Sequence, residues 1–196
     1  VTGRGKADIV FVIDITGSMW PYIENVAVNL ASFDKAITDE QIDARFAVVY
    51  YKDIFSDGKD STVIEDFEGK TWTDDAETLE KKLYALKSKV KGGGDWPETP
   101  QDALNKILEW DTFRDDAARI AFILTDANTK SGSGLEAINN EAFIDKIVYK
   151  QICVSVISDT KYKEESQNQY YDIFTRTEGV FIDLFRKDFY KSMIDL

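Results

Sequence analysis

The chain has 196 residues, 43% of them hydrophobic, with 36 acidic and 24 basic side chains and a net charge of −12. That apolar content excludes a disordered acidic chain, no run of about 18 apolar residues encodes a membrane-spanning helix, and the acidic balance argues against nucleic-acid binding. With no histidine and Cys153 as the lone cysteine, the chain cannot build His-based acid/base catalysis, His-ligated zinc, an internal disulfide or a thiolate cluster.

The elements alternate along the chain. Asp8–Asp14 (DIVFVID) is a short apolar, β-branched run that stops at an acid, the mark of a strand buried on both faces. Ile23, Val26, Leu30, Phe33 and Ile37 recur at steps of three and four, which gives a helix with one apolar face, and Pro21 suits its first turn. Ala44–Tyr51 is a second strand and STVIEDF (61–67) a third. Leu79, Leu83, Leu86 and Val90 mark a helix opened by Asp74, with Glu77 completing a capping box.

KGGGDW (91–96) breaks the pattern. A helix from Pro100 to about Trp110, a strand over Ala118–Asp126 and a helix around Ala137–Tyr149 follow. Then come strand QICVSVI (151–157), a polar helix near Glu164–Phe174, strand GVFIDL (179–184) and a closing amphipathic helix, Phe185–Ile194. Strands separated by helices imply βαβ units, and so a mostly parallel sheet with helices on both faces. The short link between the second and third strands suggests an antiparallel edge hairpin. No repeat or linker divides residues 1–196, and the start at Val1, without an initiator Met or signal peptide, leads us to expect one domain excised from a larger host chain.

Ligands of open α/β sheets bind beyond the carboxyl ends of the strands. The first strand ends in DITGSM, with Asp14, Thr16, Gly17 and Ser18; a later central strand ends in LTD, with Asp126. The loop GGGDWPETP adds Asp95, Glu98 and Thr99 at a helix entrance. Three oxygen-rich loops converging on one edge would suit a hard cation, Mg²⁺ first, with Mn²⁺ or Ca²⁺ as alternatives. Asp14, Thr16 and Ser18 are spaced by two, so one turning loop can aim all three at a point. Two aspartates only balance a divalent ion, which therefore stays electrophilic.

DITGSM after an apolar strand resembles the metal-binding motif of von Willebrand factor type A domains, which include the integrin I domains, where the site is called a metal-ion-dependent adhesion site. The resemblance runs over essentially the whole chain, and the GGGDxPE form of the glycine loop occurs in some members. It implies a Rossmann-like, doubly wound, six-stranded sheet of order 3-2-1-4-5-6 with the short edge strand antiparallel. It further implies that Asp14, Thr16 and Ser18 take the first-loop roles and Asp126 that of the central strand end. The family's remaining ligand is a threonine in the glycine loop; here Asp95, Glu98 and Thr99 compete for that place. The implied function is a cation-dependent protein-binding or adhesion module, not an enzyme. Its partner would offer an Asp, a Glu or a carboxy terminus. The expected setting is secreted or cell-surface, with an intracellular one as the alternative. In integrin-type relatives the final helix shifts when the metal site is occupied, a role open to Phe185, Phe189 and Met193.

Plainer readings stand beside these. Asp14 and Ser18 could cap the helix near Trp20, and Thr99 with Pro100 and Asp102 makes a good helix start. Trp20, Trp96, Glu98 and Asp53 are candidates for the binding rim, although Asp53 could be an ordinary solvated acid. Two other function classes compete with adhesion. One is a haloacid-dehalogenase-like phosphoesterase, in which Thr16 would stand where the second acid is needed. The other is an intracellular scaffold domain with a structural metal. A P-loop is excluded, because Ile64 stands where the first glycine before Gly69-Lys70-Thr71 would be.

Overall fold

A computed structural model describes residues 5–92, 96–164 and 169–193. Six strands, β1 (Lys6–Asp14), β2 (Asp43–Tyr51), β3 (Val63–Ile64), β4 (Ala118–Leu124), β5 (Ile152–Ser158) and β6 (Phe181–Asp183), form one sheet in the order β3-β2-β1-β4-β5-β6. All pairings are parallel except β2 with β3. This is the Rossmann-like architecture that the sequence resemblance implies.

Successive side chains along β1 point to opposite faces, and both faces are covered. Ile9, Phe11 and Ile13 join one core with Leu30 and Phe33 of α1 (Trp20–Asp39) and Leu79 and Leu83 of α2 (Ala76–Ala85). Val10 and Val12 join the other, with Leu104 of α3 (Pro100–Leu108), Ile144 of α4 (Glu141–Tyr149) and Ile173 of α5 (Tyr171–Arg176). The predicted stripe Ile23, Val26, Leu30, Phe33, Ile37 is the buried face of α1. No helix among the described residues is long and apolar enough to cross a membrane.

Four local features differ from the sequence reading. Asp75, not Asp74, caps α2, because its extended backbone lets the carboxylate accept from the N–H groups of Glu77 and Thr78. The helix expected from Ala137 starts at Glu141, where the Asn140 side chain accepts from the Phe143 N–H and fixes the first turn. The described part of the helix expected over Glu164–Phe174 begins only at Tyr171. The closing segment is a 3-10 turn over Phe189–Met193; Phe189 and Met193 are buried beside α1, while Phe185 is 56% exposed and meets Tyr22 edge-on. Ile194 lies outside the described residues.

The register places the site. Asp14 is paired with Tyr51, Ile13 with Leu124, and Leu124 with Ile157. The carboxyl ends of β1, β2, β4 and β5 therefore finish on one line, and the residues just after them crowd one edge. At the opposite end of β1, buried Asp8 accepts from the side chains of Arg45 and Arg114, each at 2.8 Å.

Candidate functional site

Asp14 is the last residue of β1 and is fully buried. One carboxylate oxygen accepts from the Thr16 N–H (2.8 Å) and hydroxyl (2.7 Å), and the other from the Thr125 hydroxyl (2.7 Å). The chain turns sharply after it, with Met19 N–H donating to the Thr16 carbonyl. Three cross-links pin this turn: Ile15 N–H to Tyr51 O, Lys91 N–H to Ile15 O, and Gly17 N–H to Gly92 O. Gly92 has φ +84°, a left-handed conformation that L side chains rarely adopt. Asp126 follows Thr125 directly beyond β4 and is also buried.

These segments enclose a cleft of about 120 Å³ lined by Thr16, Gly17, Ser18, Gly92, Trp96, Glu98, Asp126 and Ala127. The fold thus brings Thr16, Ser18, Asp126, Glu98 and Trp96 together, with Asp14 behind Thr16. Ser18 is exposed, whereas Glu98 is only 2% exposed. Glu98 is held by its backbone, which donates to Asn128 O and accepts from Lys130 N–H. One of its carboxyl oxygens is buried without a hydrogen-bond partner among the described residues. Trp96 stands 53% exposed at the rim; its indole N–H donates to the Tyr162 hydroxyl, and the Lys161 ammonium lies 5.4 Å from its ring centre.

Electrostatics at this edge are strained. Burial pushes Asp14 up to about 6, the hydrogen bonds from Thr16 and Thr125 pull it down, and the charge of Asp126 adds to the rise. Burial pushes Glu98 up to about 9, aided by Asp14, Asp53 and Asp57 and opposed by Lys130. The hydroxyls of Tyr51 and Tyr170 are raised well above their ordinary range, first by burial and then by the charge of Asp14.

Other expected residues have other positions. Thr99 is fully buried, but its hydroxyl donates to Lys52 O (2.9 Å) and accepts from Ile54 N–H (3.0 Å), which ties it to the loop after β2 and not to the cleft. Trp20 packs on Tyr84, with the Lys87 ammonium 5.0 Å from its ring centre, on the α1–α2 side of the sheet. Asp53 is neither a rim residue nor solvated: it is buried, accepts from Phe55 N–H and from the N–H and hydroxyl of Ser56, and pairs with Lys130 at 2.5 Å. Burial pushes Asp53 up, but Lys130 and Ser56 outweigh it and hold it below the usual range. Asp95 lies outside the described residues.

The capping readings can be settled locally. Met19 precedes α1 and Thr99 precedes α3, and neither helix start has a side-chain cap. Asp14 and Thr99 are committed to the tertiary bonds described above. Thr125 is the residue that the sequence reading missed, although it stands beside Asp126 in the quoted LTD. Its hydroxyl donates to Asp14 and accepts from Ala127 N–H (3.2 Å).

The donor set is wholly hard oxygen: carboxylates of Asp14, Asp126 and Glu98, hydroxyls of Thr16 and Ser18. Such groups fit Mg²⁺, Mn²⁺ or Ca²⁺. The orphaned oxygen of Glu98 is a buried acceptor with room for a donor or a cation. Among the described residues no three acids stand close enough to cage an ion unaided, so hydroxyls and water would complete any coordination.

A family model described as von Willebrand factor A domain matches residues 8–184. No curated protein matches the chain. Among solved structures, the conserved hypothetical protein BatB from Bacteroides thetaiotaomicron superposes with a TM-score of 0.63 at 15% identity, over 96% of each chain. At that identity the likeness concerns the fold.

Proposed function

The chain belongs to the von Willebrand factor A domain family, generally one of protein-interaction modules, and we propose that it is a Mg²⁺-dependent, non-catalytic binding module whose cleft receives a carboxylate from a protein partner. Asp14 and Asp126, with the hydroxyls of Thr16 and Ser18, would hold the cation. Bound there, the cation would supply an electrophilic centre with an open position for a partner's Asp, Glu or carboxy terminus.

The observation that carries this reading is Asp14 itself. It is a fully buried carboxylate with Asp126 nearby, held by three hydrogen bonds and by no Lys or Arg among the described residues. A buried negative charge without a cation is costly; a divalent ion would remove that cost. The Thr16 and Thr125 donors orient the Asp14 oxygens, and the Gly17–Gly92 pairing keeps the first loop in place.

A phosphoesterase is the weaker reading. The hydrogen bonds from Thr16 and Thr125 hold Asp14 buried, and that reaction needs a second acid beside the nucleophile. Thr16 stands where the acid would be and cannot protonate a leaving group. Calorimetric titration with Mg²⁺ and Mn²⁺ tests the reading. Wild type should bind one ion, and Asp126→Asn should weaken binding at least tenfold. Equal affinities in the two proteins would refute it.

A further inference from the structure

The cleft is bounded on one side by Gly92. Beside that residue opens a second pocket, of about 380 Å³, whose lining includes Lys52, Lys89 and Lys91 together with Asp57 and Asp60. We propose that this pocket, through Lys52 and Lys91, receives a second carboxylate from an acidic segment of a protein partner whose first carboxylate enters the cleft. The inference rests on the binding reading of the cleft and says what kind of partner fits it.

Three observations carry it. First, Gly92 is a shared wall: it lines the cleft, and a Cβ on it would lie 3.5 Å from Lys52 Nζ and 3.4 Å from Asp57 Oδ1. With no side chain at that position, a partner segment can cross from the cleft to Lys52 over bare backbone. Second, Lys52 is half-buried, yet its ammonium has no ion pair or hydrogen bond among the described residues. Other half-buried cations of the chain have theirs: Lys82 pairs with Glu65, Lys106 donates to Thr62 O, and Arg45 pairs with Asp8. A cation withdrawn from water is normally paired. Lys91 is exposed and also unpaired among the described residues, whereas Lys89 is engaged, donating to the Tyr50 hydroxyl (2.7 Å) and facing Glu65 at 3.6 Å. Third, the backbone holds both free lysines in place: Lys52 O accepts from the Thr99 hydroxyl, and Lys91 N–H donates to Ile15 O.

Charge and solvation select the occupant. Asp57 and Asp60 are exposed and form no ion pair among the described residues, so water answers their charge. The half-buried ammonium of Lys52 is the group that gains most from a counter-ion. At net −12 the chain repels an acidic segment at long range, but screening confines that repulsion to about 8 Å at physiological salt, so the nearby lysines govern. An extended segment places side chains two residues apart on one face, about 7 Å from each other. Acids in that spacing suit a cleft and a pocket that share one residue as their wall.

Nuclear magnetic resonance titration of the isotope-labelled protein tests this with two peptides, acetyl-Gly-Glu-Gly-Glu-Gly-amide and acetyl-Gly-Glu-Gly-Gln-Gly-amide. Each is added into the millimolar range, in Mg²⁺ and in chelator. In Mg²⁺ the two-acid peptide should bind wild type about threefold or more tighter than the one-acid peptide, the gain of a partly exposed ion pair. It should also shift the backbone amides of Lys52, Lys91 and Gly92. The double variant Lys52→Gln/Lys91→Gln should lose the gain, and Lys52→Arg should keep it.

Equal affinities of the two peptides for wild type overturn the proposal, as does a gain that survives undiminished in the double variant. Should the double variant lose the native amide spectrum, the single variant Lys52→Gln decides by the same measure. Inorganic phosphate that shifts the amides of Lys52 and Lys91 where the two-acid peptide does not would give the pocket to another anion, and overturns it too. If chelation and Asp126→Asn both leave the affinity of the one-acid peptide unchanged, it is the cation reading that fails, and the proposal falls with it. If both weaken that peptide while the second acid brings no gain, only the lysine pocket fails.

Discussion

Replacing Asp14 by Asn should stabilise the metal-free protein. Asn is nearly isosteric, can still accept from Thr16, and can donate to the Thr125 oxygen, so little packing is lost. What disappears is the cost of the buried charge. In the folded chain Asp14 is pushed up from 3.8 to about 6, which at 1.36 kcal/mol per pH unit corresponds to about 3 kcal/mol at neutral pH. For a chain of this size that is a rise in Tm of roughly 6–12 °C. The sign fixes the pH window. A carboxyl whose folded value is raised holds its proton longer when folded, so its contribution is complete below about pH 4 and is lost as pH rises through 6. Glu98, pushed up to about 9, should carry the decline further into the alkaline range. Wild type and Asp14→Asn, both treated with a chelator, should therefore melt together at pH 4 and separate by pH 8. Added Mg²⁺ should raise wild type alone, by about 2.7 kcal/mol at a hundred times Kd. Thermal melts at pH 4, 6 and 8, with and without Mg²⁺, read this directly. A gap that does not change with pH, or an Asp14→Asn protein that is less stable at pH 8, would refute the argument that Asp14 is held in a destabilising state.

At the other end of β1 the expectation reverses. Asp8→Ala leaves Arg45 and Arg114, each about one-fifth exposed, without their shared partner; urea unfolding should show a loss of about 3 kcal/mol with Mg²⁺ affinity unchanged. Burial pushes Asp8 up, but the bonds from Arg45 and Arg114 hold it below its ordinary 3.8. Its contribution is thus complete above about pH 4 and fades below it, so Asp8→Asn should flatten the acid limb of the stability curve. Gly179→Ala should abolish soluble expression or cost about 3 kcal/mol or more, because the new methyl would sit 1.9 Å from the Val154 carbonyl oxygen. Mg²⁺ should alter tryptophan emission in wild type and not in Trp96→Phe, since Trp96 is the indole that lines the cleft; an equal response in both would place the ion elsewhere.

The sequence made the elements legible because their signals are local. The apolar run to Asp14 and the three-four stripe from Ile23 to Ile37 lie within single elements, and both are where they were expected. Convergence at the sheet edge was legible through the rule that parallel strands present their carboxyl ends together. What stayed hidden depends on residues distant in sequence. Glu98 and Thr99 are neighbours, and only the bridge to Thr129 and the bonds to Lys52 and Ile54 separate a cleft residue from a structural tie. Asp53 could not be read without Lys130. Two signals were present and passed over. Trp20 stands three residues before Ile23, on the stripe that faces inward, which explains its packing on Tyr84. Thr125 stands beside Asp126, and a hydroxyl next to an acid at a strand end is placed to reach across to the neighbouring strand.

Asp8 and Asp14 show why we propose the carboxyl edge of this sheet, and not its other end, as the site. Both are aspartates of β1, and both are fully buried. Asp8 receives two guanidinium groups from the chain itself, and its affinity for protons falls. Among the described residues Asp14 receives neutral donors from Thr16 and Thr125, with Asp126 as a further negative charge, and its affinity for protons rises. Burial is the same in the two cases, so the partner decides the outcome. Where the chain supplies the positive charge, the acid is a staple. At Asp14 the described residues supply orientation without charge, so on the proposed reading the charge that would satisfy this acid comes from outside the chain. In a histidine-free and thiol-poor cleft, that reading has the charge recruited through oxygen, as a proton or a hard cation. The competition between those two makes the pH dependence of Mg²⁺ affinity the natural measure of how the site is tuned: affinity should climb with pH as protons leave Asp14 and Glu98.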